Sequence, residues 1–190
     1  MNKPNDYDTA KAFRDFPKLP AGGYICTIVE LAEVKSKAGN DMIRVALDIT
    51  DGYYTGFYSR KFREDNRPKK KWSCYFYSNV RNNDGSTNGG FKAFVEAVRE
   101  SNAGFEPSWD LGFAEGFKGK LVGMVFGEEE YLNADGEIGD SVKPVKAKSV
   151  EAIRNRDYTI PSKRKYNSSK GAGSPLPEGF TAVGDDDVPF

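Results

Sequence analysis

Two stretches of this chain carry residues whose types and spacing can do chemistry, and in both the chemistry is recognition. Asp185, Asp186 and Asp187 precede Val188, Pro189 and Phe190. Such a run makes a peptide hook: the phenyl ring fills an apolar notch, a carboxylate beside it meets Arg or Lys, and the aspartates steer the encounter through long-range charge. An ordinary acidic tail would solubilise equally well but gives no reason for the closing Pro-Phe. The second stretch, 53–77, interleaves rings and cations: Tyr53, Tyr54, Phe57, Tyr58, Arg60, Lys61, Arg63, Arg67, Lys69, Lys70, Lys71, Trp72, Tyr75 and Tyr77. Unpaired nucleic acid offers phosphates along a flexible backbone and exposed base faces. Cations and flat rings answer both, with stacking contributing ~1–3 kcal/mol per base.

Read as a strand, 53–62 must place alternate residues on opposite faces. Tyr54, Tyr58 and Arg60 then share one face and Tyr53, Phe57 and Lys61 the other. The Phe57 face is the better core candidate, so Tyr54, Tyr58 and Arg60 are expected outward, flanked by Arg44 from the neighbouring strand. Tyr also favours half-buried sheets without any ligand. Three adjacent lysines, Lys69 to Lys71, repel one another unless they are solvated or face an anion. Lys35, Lys37, Lys143, Lys146 and Lys148 could extend the same path, although each alone reads as an ordinary surface lysine.

Catalysis has little to work with. The chain has no histidine, which removes the commonest general base and transition-metal ligand, and only Cys26 and Cys74 as thiols. No Gly-Lys-Ser/Thr follows a strand, so a phosphate-cradling loop is not expected. Glu128, Glu129 and Glu130 could meet a divalent cation with Asp135 or Asp140, but adjacent strand residues point to opposite faces, and an acidic strand end is the simpler account. The expectation is a protein that is not an enzyme and needs no cofactor or metal. With two cysteines, no signal peptide and no long apolar run, the chain reads as cytoplasmic, without a membrane partner.

The elements that must position these residues follow from periodicity. After a loose leader, 1–20, residues 24–34 suit a first strand, 35–40 a polar turn and 41–50 a second strand, with Ile43, Val45, Leu47 and Ile49 on its apolar face. Asp51 and Gly52 signal a hairpin into a third strand, 53–62. Residues 63–88 lack a clear period and read as an insertion or flap that could hold a strand of its own. Phe91, Phe94, Val95 and Val98 mark an amphipathic helix over 90–101. Strands over 118–126, extended by 128–131, and over 141–150 follow, separated by a turn at 133–136. The order of three strands, a helix and two strands is that of an OB-fold, a five-stranded Greek-key barrel that binds oligonucleotides on its strand 2 and 3 face. The fold class is therefore mainly β, with one domain over 21–165 and a disordered linker and acidic tip over 166–190.

Twenty-eight basic and twenty-eight acidic residues cancel, but they are segregated. Residues 53–81 hold eight bases against two acids, and 140–165 eight against three; 166–190 hold one base against four acids. A basic body thus carries an acidic tail.

The tip resembles the end of bacterial single-stranded DNA-binding proteins, Asp-Asp-Asp-Ile-Pro-Phe, with Val188 in place of Ile. That resemblance implies recruitment of replication, recombination and repair enzymes through Asp185, Asp186, Asp187, Val188, Pro189 and Phe190. A looser likeness, to small phage proteins encoded near recombination functions, rests on 19–24, 35–42 and 145–154. Together these make the chain similar to a bacteriophage-type single-stranded DNA-binding protein, which would work in the host bacterial cytoplasm. It departs from the cellular proteins in lacking their immediate opening strand and in carrying 63–88, so their tetrameric assembly is not carried over and a homo-oligomer is left open. Expected at the DNA are Arg44, Tyr54, Tyr58, Arg60, Lys61, Lys69, Lys70, Lys71, Trp72, Tyr75 and Tyr77. The alternative is a phage decoy that occupies host repair enzymes through the tip without binding DNA; a small nuclease lacks a suitable carboxylate constellation.

Overall fold

The computed structural model describes residues 2–5, 7–9, 17–133 and 135–167. The expected linker beyond 167, the tip, and Phe13 and Phe16 of the leader lie outside them. Five strands form one antiparallel sheet: β1 (Gly22–Lys35), β2 (Asp41–Ile49), β3 (Tyr75–Asn79), β4 (Leu121–Leu132) and β5 (Ile138–Lys148), hydrogen-bonded in the order β3-β2-β1-β4-β5. The helices are α1 (Phe57–Glu64), α2 (Gly89–Ser101), α3 (Phe113–Phe117) and α4 (Val150–Arg154).

β1 is long enough to serve two partners. Its first half pairs with β4, from Gly22 opposite Phe126 to Thr27 opposite Leu121, and its second half with β2, down to Lys35 opposite Asp41. A register shift between Ile28 and Glu30 lets the strand bend where it changes partners, as bulges do. The edge strands β3 and β5 approach each other as the sheet curls.

The alternation read from 41–50 holds: Ile43, Val45, Leu47 and Ile49 are sealed in the core. They meet Cys26, Ile28, Val122, Met124 and Phe126 from the facing strands, with Phe94 of α2 stacked between Phe76 and Phe117 at 5.6 Å from each. Rings at this spacing add ~0.5–1.5 kcal/mol per pair beyond the area they bury. Asn88 starts α2 by accepting from Gly90 N–H (2.9 Å) and Phe91 N–H (3.2 Å), which satisfies two otherwise orphaned amides.

The third strand is not where the hairpin signal placed it. Residues 53–56 are turns and Phe57–Glu64 is α1; the third strand, β3, lies instead within 63–88. Gly56 at φ 69° lies in the left-handed region, which ends any strand there, and neighbouring Phe57 and Tyr58 are both buried at 4%, which alternation forbids. Asp48 closes the case by capping the helix from β2. Its Oδ1 accepts from Tyr58 N–H at 3.0 Å, and Oδ2 from Ser59 N–H and the Ser59 hydroxyl. β5 stops at Lys148 because Ser149 caps α4 through Ala152 N–H.

α4 and the strap after it, 155–166, cover the outer face of β1 and β4. Val150, Ile153 and Tyr158 pack there on Ile25, Val125 and Leu121. A methyl on Gly23 would lie 2.5 Å from the Tyr158 ring, and one on Gly123 would strike Ile153 and two backbone carbonyls. Among the described residues no helix is long and apolar enough to cross a membrane.

Candidate nucleic-acid interface

From Lys71 to Asn79 the chain alternates cleanly. Trp72, Cys74, Phe76 and Ser78 turn inward, the last three sealed and Trp72 packed against the core. Lys71, Ser73, Tyr75 and Tyr77 therefore share the outward row. The ladder with β2 sets Tyr77 opposite Arg44 and Tyr75 opposite Ala46, and β1 adds Ala32 opposite Arg44 and Glu30 opposite Ala46. Small residues thus floor a shallow surface walled by rings.

Arg44 lies at its centre. Its Cζ stands 5.2 Å from the Tyr75 centroid, a cation–π distance, and its Nη2 4.0 Å from Glu30 Oε1. The Tyr75 and Tyr77 rings are 6.0 Å apart with their planes tilted by 46°. Both are half-buried, so each offers part of its ring to the surface.

The other expected site residues fall elsewhere. Tyr58 is a correction: it is interior, stacked near Phe126, and burial, then the Cys74 thiol beside it, pushes its phenol above the ordinary range. Tyr54 is half-buried against Tyr24 and Phe57 and shares no strand face with Arg60. Trp72 is a wedge, its indole N–H donating to Leu47 C=O at 3.2 Å and its ring 5.8 Å from Phe62. Arg60, Lys61, Lys69, Lys70 and Lys71 are exposed, the first two on α1, Lys69 and Lys70 on the loop after it and Lys71 at the start of the run into β3. Lys70 Nζ sits 5.8 Å from the Phe62 centroid. Of the eleven, Arg44, Tyr75 and Tyr77 are gathered on one face of the sheet, with Lys71 in the extended run that leads into β3. Tyr53, expected inward, is 91% exposed.

The remaining candidate cations divide. Lys35 pairs with Asp41, and Lys143 with Glu129 at 2.8 Å. Glu129 also meets Arg164, while Lys163 bridges Glu130 (3.2 Å) and Asp140 (2.6 Å). Within the acidic run 128–130, Glu129 and Glu130 are therefore spoken for by cations. Burial alone would raise the Glu129 pKa, but Lys143 and Arg164 outweigh it and hold the carboxyl below its ordinary range. Backbone bonds from Glu130 N–H to Arg164 C=O and from Arg164 N–H to Glu128 C=O zip the strap onto the free end of β4. Burial pushes both thiols, Cys26 and Cys74, well above their usual range, so neither is a nucleophile at neutral pH.

Residues 5–89 match the family model "Protein of unknown function (DUF669)". The match is less than half of the chain, but it takes in β1, β2, α1 and β3, hence the whole Arg44, Tyr75 and Tyr77 face. No curated protein matches the chain. A cleft of about 510 Å³ lies elsewhere, between the β1–β2 hairpin and Phe91, Trp109 and Phe113; none of Arg44, Tyr75 and Tyr77 lines it.

Ser73 is a member of the outward row that the sequence did not single out, and Asp48 in its capping role was not singled out either. The two-residue period of Trp72, Cys74 and Phe76 was the available signal for the row. Asp48 left none, because its partners lie ten and eleven residues on.

Proposed function

We propose that this chain is a non-catalytic binder of single-stranded DNA that holds the strand on the outer face of β2 and β3. The observation that carries the reading is the Arg44, Tyr75 and Tyr77 cluster. It joins a cation to two partly exposed rings, with Lys71 continuing the row. Bases stack on such rings whatever their sequence, and the cations neutralise phosphates. The strand order, the approach of edge strands β3 and β5 and the helix between β3 and β4 support reading the sheet as an OB-type barrel. The β2 and β3 face is where that fold carries oligonucleotides. Asp185 to Phe190, beyond the described residues, would recruit DNA-processing enzymes in a bacterial cytoplasm. This part rests on sequence.

A salt-titrated anisotropy measurement with labelled single-stranded DNA, duplex DNA and RNA tests the proposal. Single-stranded DNA is expected to bind tightest, with log K falling against log salt by about 0.7 per phosphate neutralised. A lack of salt-dependent binding to it rejects the reading and favours the decoy.

A further inference from the structure

Lys71 apart, the cations of 57–71 and the rings of β3 belong to two different surfaces. Seven bases and two acids occupy that stretch. Arg67 closes on Asp65, with Nη2 2.7 Å from Oδ2, while Arg60, Lys61, Arg63 and Lys69 stand exposed. The lobe turns its own rings away from solvent: Phe57 and Tyr58 are buried, and Phe62 and Trp72 face each other at 5.8 Å. Tyr53 stands in the turn ahead of α1 with its ring on Tyr54, at the opposite end of the helix from Arg63.

This difference selects the form of nucleic acid each surface can take. Rings reward unpaired bases, whose faces are open. In a duplex those faces are stacked on one another, and a protein meets mainly phosphates, packed at one charge per ~1.7 Å of axis. A cationic lobe with its rings withdrawn suits that denser array. The chain joins the two surfaces directly and is held on β2 there: Trp72 anchors on Leu47, whose neighbour Ala46 pairs with Tyr75. From Lys71 to Tyr75 an extended chain covers only about 13 Å.

We infer that the chain prefers a junction, with the unpaired strand on Arg44, Tyr75 and Tyr77 and the adjoining duplex on the lobe of Arg60, Arg63 and Lys69. This rests on the single-strand reading above and names its substrate more narrowly. Lobe contacts are with phosphate alone, so the preference depends on salt and not on duplex sequence.

The full-length protein would be titrated with a single-stranded tail of about 20 nucleotides. Two extended forms complete the set, one with about 12 further unpaired nucleotides and one with about 12 base pairs. The duplex-extended form is expected to bind about tenfold tighter than the unpaired-extended form at low salt, with a steeper salt slope. R60Q/R63Q/K69Q, all at exposed positions, is expected to erase that preference and keep affinity for the tail alone within about twofold. Y75A/Y77A is expected to lose the tail and retain weak duplex binding. Equal affinity for the two extended forms, or a preference that survives the triple variant, overturns the junction while leaving single-strand binding standing. Failure of the wild-type protein to bind the tail overturns both.

Discussion

At the scale of single residues, the same side-chain type takes opposite parts according to the face it occupies. Tyr75 and Tyr77 lie on the outward row of β3, whereas Tyr58 is sealed on the buried side of α1. Tyr58→Ala is therefore expected to cost stability, about 3–5 kcal/mol by analogy with large buried aromatics, read by denaturant unfolding. Asp48 serves the helix in the same way: Asp48→Ala removes the acceptor of three amides, two of them in α1, and a hydroxyl, and should cost about 1–2 kcal/mol. A smaller shift on either would mean that the site relaxes around the loss. Glu30 acts in the opposite sense, by competing for Arg44 at 4.0 Å. Glu30→Gln is expected to tighten single-strand binding about two- to fivefold at low salt and to lose that gain at high salt, in anisotropy titrations.

At the scale of elements, what was legible depended on whether a local period had a competitor. β2, α2 and the β4–β5 hairpin follow their sequence patterns closely, because each buries one face against the same core. β3 and α1 were exchanged. The 53–62 segment has strand-forming rings, but Gly56 in the left-handed region and a cap supplied from Asp48 turn it into a helix. β3 then has to come from the segment after it, where Trp72, Cys74 and Phe76 carry the period. The strap gives two tests. Gly123→Ala would drive its methyl into Ile153 and the carbonyls of Lys148 and Ser149, so lifting of α4 and a lowered melting temperature are expected. Glu129, whose pKa is lowered in the fold, contributes stability above the ordinary glutamate range near pH ~4, lost as pH falls through its folded value. Melting temperature measured against pH should fall in that window for the wild type and fall less for Glu129→Gln.

At the scale of the whole molecule, the chain divides its sheet. The outer face of β1 and β4 is covered by α4 and Tyr158, while that of β2 and β3 presents Arg44, Tyr75 and Tyr77. Charge is divided as well, with the cations of 53–81 in the folded part and the acids of 185–187 beyond the described residues. The sequence was enough to separate these two populations, because that needs only counting. It was not enough to say which rings face outward, because that depends on which segment wins the edge of β2. The most direct measurement is the affinity of Y75A/Y77A for single-stranded DNA, with its melting temperature as control. The expected result is a loss of at least tenfold, since two stacking contacts at ~1–3 kcal/mol each are removed, with folding retained. A double variant that folds and binds as tightly as the wild type would contradict the assignment of this face.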